Sequence, residues 1–147
     1  IDGRISASKI ARQIGNVSER AVRYRIDRLV QDNVIRISAI VDPRTIGYSV
    51  TADVFMEVDS DSIIEVAQAM TKFERISYVA CAIGETDVSV QVVGRDTGEI
   101  YQFVTDVIGK VPGVRKTTTS IVPMVLKDIY QWQIPRSAYP NGKSKNK

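Results

Sequence analysis

The chain has 147 residues, 44% hydrophobic and 25% charged, which suits one domain or two small ones and excludes wholesale disorder. Its formal charge of +3 hides a division: residues 1–36 carry eight Arg/Lys against four Asp/Glu, residues 37–135 eight against thirteen, and residues 136–147 four against none. With no histidine and only Cys81 as a thiol, His-based catalysis, His or multi-thiolate metal sites and an intrachain disulfide are excluded.

Ser6 or Ser8 is placed to cap a first helix through Lys9, Ile10, Ala11 and Ile14, whose apolar residues recur at helical spacing. Gly15-Asn16 ends it. Ser18 caps a second helix from Glu19 to about Asp32, with Val22, Ile26, Leu29 and Val30 as its apolar face. Arg20, Arg23, Tyr24, Arg25 and Arg28 are left mostly on the other faces. Asn33 suits the left-handed residue that closes a helix, and Val34-Ile35-Arg36-Ile37 leaves as a strand. Two short helices joined by a tight turn, the second rich in arginine, form a helix-turn-helix pattern over residues 1–36. In a DNA-bound state Ser18, Glu19, Arg20, Arg23, Tyr24 and Arg25 would lie at or near the major groove, with Lys9 and Arg28 on phosphate. The competing reading is a solvated helix face with no partner but water.

Pro43 and Gly47 mark a linker strand over residues 37–49. Beyond it, Val50–Val58 is a strand, and Ser60 or Asp61 caps a helix through Ile64, Val66, Ala67 and Met70 that Phe73 closes. Ile76–Ile83 is a second strand, Gly84-Glu85-Thr86-Asp87 a turn, and Val88–Val93 the strand returning from it. Thr97–Lys110 is a further helix with Ile100, Phe103, Val104, Val107 and Ile108 inward. Pro112-Gly113 then turns the chain into a last strand from Val114 to about Lys127. The two halves repeat: the shift that lays Val50 on Val88 also lays Val66 on Val104, Lys72 on Lys110 and Ile76 on Val114. The order βαββαβ predicts an α+β, ferredoxin-like domain over residues 50–132. Cys81, in an apolar strand, reads as a buried hydrophobe. The third strand carries no aromatic ring on which an RNA base could stack, and no nucleophile has a base beside it, so RNA recognition and catalysis are both disfavoured.

Taken together, these segments resemble the Lrp/AsnC family, the feast/famine transcriptional regulators. The residues that carry the resemblance begin with Asp2-Gly3-Arg4-Ile5-Ser6 and Ser18-Glu19-Arg20-Ala21-Val22-Arg23-Tyr24-Arg25-Ile26, running into Leu29 and Val34-Ile35. They continue with Val41-Asp42-Pro43, Ile46-Gly47-Tyr48, Gly84-Glu85-Thr86-Asp87, and Val111-Pro112-Gly113-Val114 before the Thr run. The resemblance implies a winged-helix type DNA-binding head, a ligand-sensing body, and dimers that build tetramers or octamers. It also implies an amino acid or similar effector bound near the Gly-x-x-Asp turn and the start of the last strand. On this chain those positions are Gly84, Glu85, Thr86 and Asp87, with Thr117, Thr118 and Thr119 as wall residues. A glycine lets backbone approach a ligand, Asp87 offers charge to an ammonium and the threonines offer hydroxyls. Equally, Gly84 and Asp87 are favoured turn residues and threonine is a favoured strand residue.

The family usually opens with a helix of the type Leu-Asp-x-x-Ile-Leu before the Asp-Gly-Arg segment, which predicts that residue 1 is not the start of the domain. The turn Gly15-Asn16-Val17-Ser18 is one residue longer than usual for the family. Residues 133–147 form a basic tail, expected to be flexible, with Lys143, Lys145 and Lys147. The resulting expectation is a cytoplasmic regulator that binds double-stranded DNA and a small effector, with no cofactor, metal, membrane or enzymatic role. The alternative is an architectural DNA compactor that ignores small molecules. An enzyme on this architecture, like the haem-biosynthesis decarboxylases that resemble the family, depends on histidine.

Overall fold

A computed structural model describes residues 3–135 and 138. The chain divides into two compact units, Ile1–Val41 and Asp42–Lys147. In the first, Ser6 rather than Ser8 caps α1 (Ala7–Ile14), its hydroxyl accepting the Lys9 N–H at 3.2 Å. Gly15 and Asn16 then turn at φ 70° and 52°. Helix α2 (Glu19–Gln31) follows, with Ser18 accepting from Ala21 N–H at 3.2 Å and Asn33 leaving at φ 55°. Of the apolar face read on α2, Val22 is buried at 4%, whereas Leu29 and Val30 are about two-fifths exposed.

The strand expected at Val34–Ile37 is not there, nor is a linker strand before Val50. Residues 35–42 run without ladder hydrogen bonds, and Ile37 and Ile40 are exposed at 64% and 58%. The reason is elementary: β-propensity is only realised against a partner strand, and this segment has none among the described residues. Asp42 instead caps a short 3-10 turn, Pro43–Ile46, that Gly47 ends at φ 91°.

The second unit holds β1 (Val50–Val58), α3 (Ile63–Met70), β2 (Ile76–Cys81), β3 (Val88–Gly94), α4 (Thr97–Asp106) and β4 (Val114–Val122). The sheet is antiparallel in the order β2-β3-β1-β4, with each half of the repeat giving one central and one edge strand. This is the α+β, ferredoxin-like architecture, with both helices on one face.

Alternation along the strands explains the core. Ala52, Val54, Met56 and Val58 of β1 and Val88, Val90 and Val92 of β3 point inward against Val66 and Met70 of α3 and Ile100 and Val104 of α4. Each of these valine, isoleucine and methionine side chains removed from water contributes roughly 1.5–3 kcal/mol before entropy is counted. Phe73, just past the end of α3, meets Phe103 of α4 edge-to-face at 5.7 Å.

Four boundaries differ from the sequence reading. Ser62, not Ser60 or Asp61, is the N-cap of α3. The helix from Thr97 stops at Asp106, because Val107 leaves helical geometry and Ile108–Lys110 tightens into a 3-10 turn. The last strand ends at Val122, where Pro123 cannot donate to the ladder. Cys81 is exposed, since β2 is an edge strand ending there, and Ile83 beyond it is outside the strand and fully exposed. The basic residues Lys143, Lys145 and Lys147 of the expected tail lie outside the described residues. No helix among the described residues is long and apolar enough to cross a membrane.

Candidate functional site

Helix α2 presents its cations unequally. Opposite the buried Val22, at helical spacing, stand Arg20, Tyr24 and Arg28, while Arg23 and Arg25 lie on the two flanks. All five are exposed, Tyr24 at 64%. Glu19 binds Arg23 through Nε at 3.1 Å and through a second, shorter contact to Nη2, and that hydrogen bond holds the guanidinium pKa above its ordinary value. Arg28 donates from Nε to Asp32 at 3.1 Å. Lys9, Arg20 and Arg25 make no ion pair among the described residues. The cations thus fall into two that an anion already holds and three that are open to one. Ser18 sits at the N-terminus of the same helix, where amide N–H groups and the helix dipole favour phosphate.

The second candidate lies at one end of the sheet. Gly84 turns at φ 151°, in the region that favours glycine, and a Cβ there would meet open space. Glu85 is exposed; Thr86 and Asp87 are half-buried. Asp87 is far from a lone turn carboxylate. Its N–H donates to the Met56 carbonyl at 2.9 Å, its carbonyl accepts from Ala82 N–H at 2.8 Å, and its Oδ2 accepts from Val58 N–H at 2.8 Å. The last bond falls where the β1–β4 register shifts between Glu57 and Val58, so the carboxylate satisfies a backbone N–H at the irregularity. Beside it Asp59 N–H donates to Gly113 at 2.9 Å, and Arg115 pairs with Asp59 at 3.6 Å.

The threonine run does not form one wall. Thr117 and Thr119 pair with Met56 and Val54 and share the helix-covered side of the sheet, whereas Thr118 pairs with Phe55 on the open side. Thr117 reaches the same end of the sheet as Asp87 but stands two strands away, with Met56 of β1 between them. Two strand spacings are about 10 Å. Within one chain the turn and the threonines are therefore neighbours, not partners. Val58, Asp59 and Arg115, which complete this end, had no signal in the sequence because a register shift is a relation between strands.

A further cluster at the opposite end ties the linker down. Glu99 accepts from the Arg75 guanidinium and the Arg95 N–H, both at 2.8 Å, and Arg95 lies over the Tyr48 ring at 5.5 Å. Ser49 donates to the Arg95 carbonyl at 2.9 Å. Its bonds hold the start of β1 to the end of β3. No group of His, Cys, Asp and Glu suited to a metal occurs among the described residues.

Residues 51–131 match the Lrp/AsnC ligand binding domain. The chain belongs to the Lrp/AsnC family. Its relatives include an uncharacterized HTH-type transcriptional regulator of Pyrococcus horikoshii, 34% identical over 127 residues (86% of this chain, 80% of that one). The HTH-type transcriptional regulator FL11 of Pyrococcus abyssi is 35% identical over 122 residues, covering 82% of this chain and 80% of that one. Among solved structures, Escherichia coli AsnC superposes with a TM-score of 0.77 at 19% identity, covering 90% of this chain and 88% of that one. A Neisseria meningitidis transcriptional regulator in complex with L-Met gives 0.80 at 19% identity, with 89% and 86% covered. These structures share the fold of this Lrp/AsnC chain, helix pair and α+β body alike. The relatives are HTH-type transcriptional regulators, and the matched domain is a ligand-binding one, so the ferredoxin-like body here is the ligand-binding module of such a regulator.

Proposed function

We propose that the protein is a sequence-specific DNA-binding transcriptional regulator whose assembly or DNA binding responds to an amino acid. The observation that carries the DNA half is α2: a Ser18-capped helix presenting Arg20 and Arg25, which make no ion pair among the described residues. Those two, with Tyr24 and with Arg23 once it parts from Glu19, read bases; Lys9, Arg28 and the helix N-terminus hold phosphate. In a dimer the two heads select inverted repeats spaced by one helical turn of DNA or a multiple of it. Fluorescence-anisotropy titrations test this reading. Arg25→Ala, and likewise Arg23→Ala, should weaken specific binding by about 1–3 kcal/mol while sparing nonspecific binding. Unchanged specific affinity in both variants refutes the recognition-helix assignment. Equal affinity of the wild type for all sequences supports the DNA compactor instead.

For the effector half, the turn Gly84–Asp87 supplies backbone groups and open space, and Thr117–Thr119 supply hydroxyls from a strand two places away. Because those elements are separated within one chain, the site is completed between copies, as dimers or larger assemblies. The relative with bound L-Met makes an amino acid the first ligand class to try. A ligand acts only by binding two states unequally, so it shifts either the assembly or the spacing of the DNA heads. Such a protein works in the cytoplasm and carries out no catalysis.

A further inference from the structure

The segment after β4 is the most apolar exposed stretch of the second unit. Met124, Leu126, Ile129, Tyr130, Trp132 and Ile134 are each between 53% and 87% exposed. Apart from the short 3-10 turn Ile129–Gln131, residues 123–135 run without helix or ladder. Across the sheet, a groove of about 260 Å³ runs between α3 and β2, lined by Ile64, Ala67, Val79 and Cys81 among others. The outer edge of β2 beside it has no pairing strand among the described residues.

We propose that residues 123–135 form an exchange arm that docks in the α3–β2 groove of a second copy of this chain, each copy lending its arm to the other. The inference rests on the reading of the protein as an oligomer and names the segment that does the joining. Three observations single out a second copy. The arm leaves β4, on the edge of the sheet opposite β2, and in its own chain stays exposed. It bears one Lys127 and one Asp128, no net charge, and the groove is lined by uncharged residues, so the fit brings no like charges together. Its exposed apolar side chains amount to about 700–800 Å², close to what each partner of a standard interface buries. An extended backbone beside an unpaired strand edge adds main-chain hydrogen bonds, and a two-fold arrangement closes the exchange with both grooves filled.

The chain carries its own probes, since Trp132 is its one tryptophan and Cys81 its one cysteine. The experiment follows the full chain through a dilution series by light scattering, Trp132 emission and the rate of Cys81 modification by a thiol reagent. As the oligomer forms, the emission should move to the blue. At ten times the dissociation midpoint of a dimer, Cys81 should react about fivefold more slowly than in the monomer. Leu126→Asp with Ile134→Asp, both at exposed positions, should abolish both changes at the same concentrations while circular dichroism stays unchanged. An oligomer in which Trp132 and Cys81 remain accessible overturns the arm and leaves the oligomer reading standing. A monomer at every concentration overturns both. Shielding of both residues that does not depend on concentration places the arm on its own chain and also refutes exchange.

Discussion

Asp87 shows how one side chain can answer two descriptions. Its type and its turn suggest a counter-ion for a bound ammonium, yet one of its oxygens already accepts the Val58 N–H. Asp87→Ala strips that backbone donor of its partner, so it should cost about 1–3 kcal/mol of stability whatever happens to the effector. Asp87→Asn keeps an oxygen for Val58 and removes the charge. Chemical denaturation should therefore find the Asn variant more stable than the Ala variant, with the effector response lost in both. A full response in Asp87→Asn would mean that the carboxylate only holds the strands. Asp42 offers a pH test at this scale. Hydrogen bonds from the Arg44 side chain and backbone hold its carboxyl below the usual carboxylate range. A lowered folded-state pKa means that the contribution is complete above the unfolded value and lost as pH falls through the folded one. Titration by NMR should place the Asp42 midpoint low in the wild type and raise it part of the way to the ordinary range in Arg44→Ala, which keeps the backbone N–H bond.

At the scale of elements, local chemistry decided most of what the sequence made readable. Ser18 before an apolar period announces α2, and Asn33 its end, because capping is a contact within a few residues. Ser18→Ala should lower the stability of the first unit by about 1 kcal/mol. The halves of the second unit could be matched because both bury the same alternation. What escaped were relations between segments: the unpaired run after Asn33, the exposed Cys81 on an edge, the threonines facing opposite sides of β4, and the carboxylate that serves a register shift. Gly113 shows the difference. Its φ of +92° resembles that of Gly47 at +91°, but a Cβ on Gly113 would lie 2.8 Å from the Ser62 Cβ, whereas one on Gly47 meets nothing within 4 Å. Thermal melts should rank Gly113→Ala below Gly47→Ala: both bear the left-handed cost, about 1–2 kcal/mol, and only Gly113 adds a clash.

For the whole molecule, the division of charge becomes a division of labour. A basic helical unit carries Lys9, Arg20 and Arg25, which make no ion pair among the described residues, and the α+β unit carries the ligand-binding module. Binding to DNA should accordingly weaken steeply with salt, since each phosphate neutralised releases counterions. Substituting Arg20 by Ala should flatten that dependence or relax specificity. Coupling between the units then needs a ligand that distinguishes two arrangements of the assembly. The most direct test of an amino-acid effector is a thermal-shift screen of the full chain against the twenty amino acids, repeated on Asp87→Asn. A selective rise is expected with one amino acid or a small related group, equivalent to about 2.7 kcal/mol at a hundredfold excess over the dissociation constant, and its loss in the variant. No shift with any of the twenty would contradict an amino-acid effector.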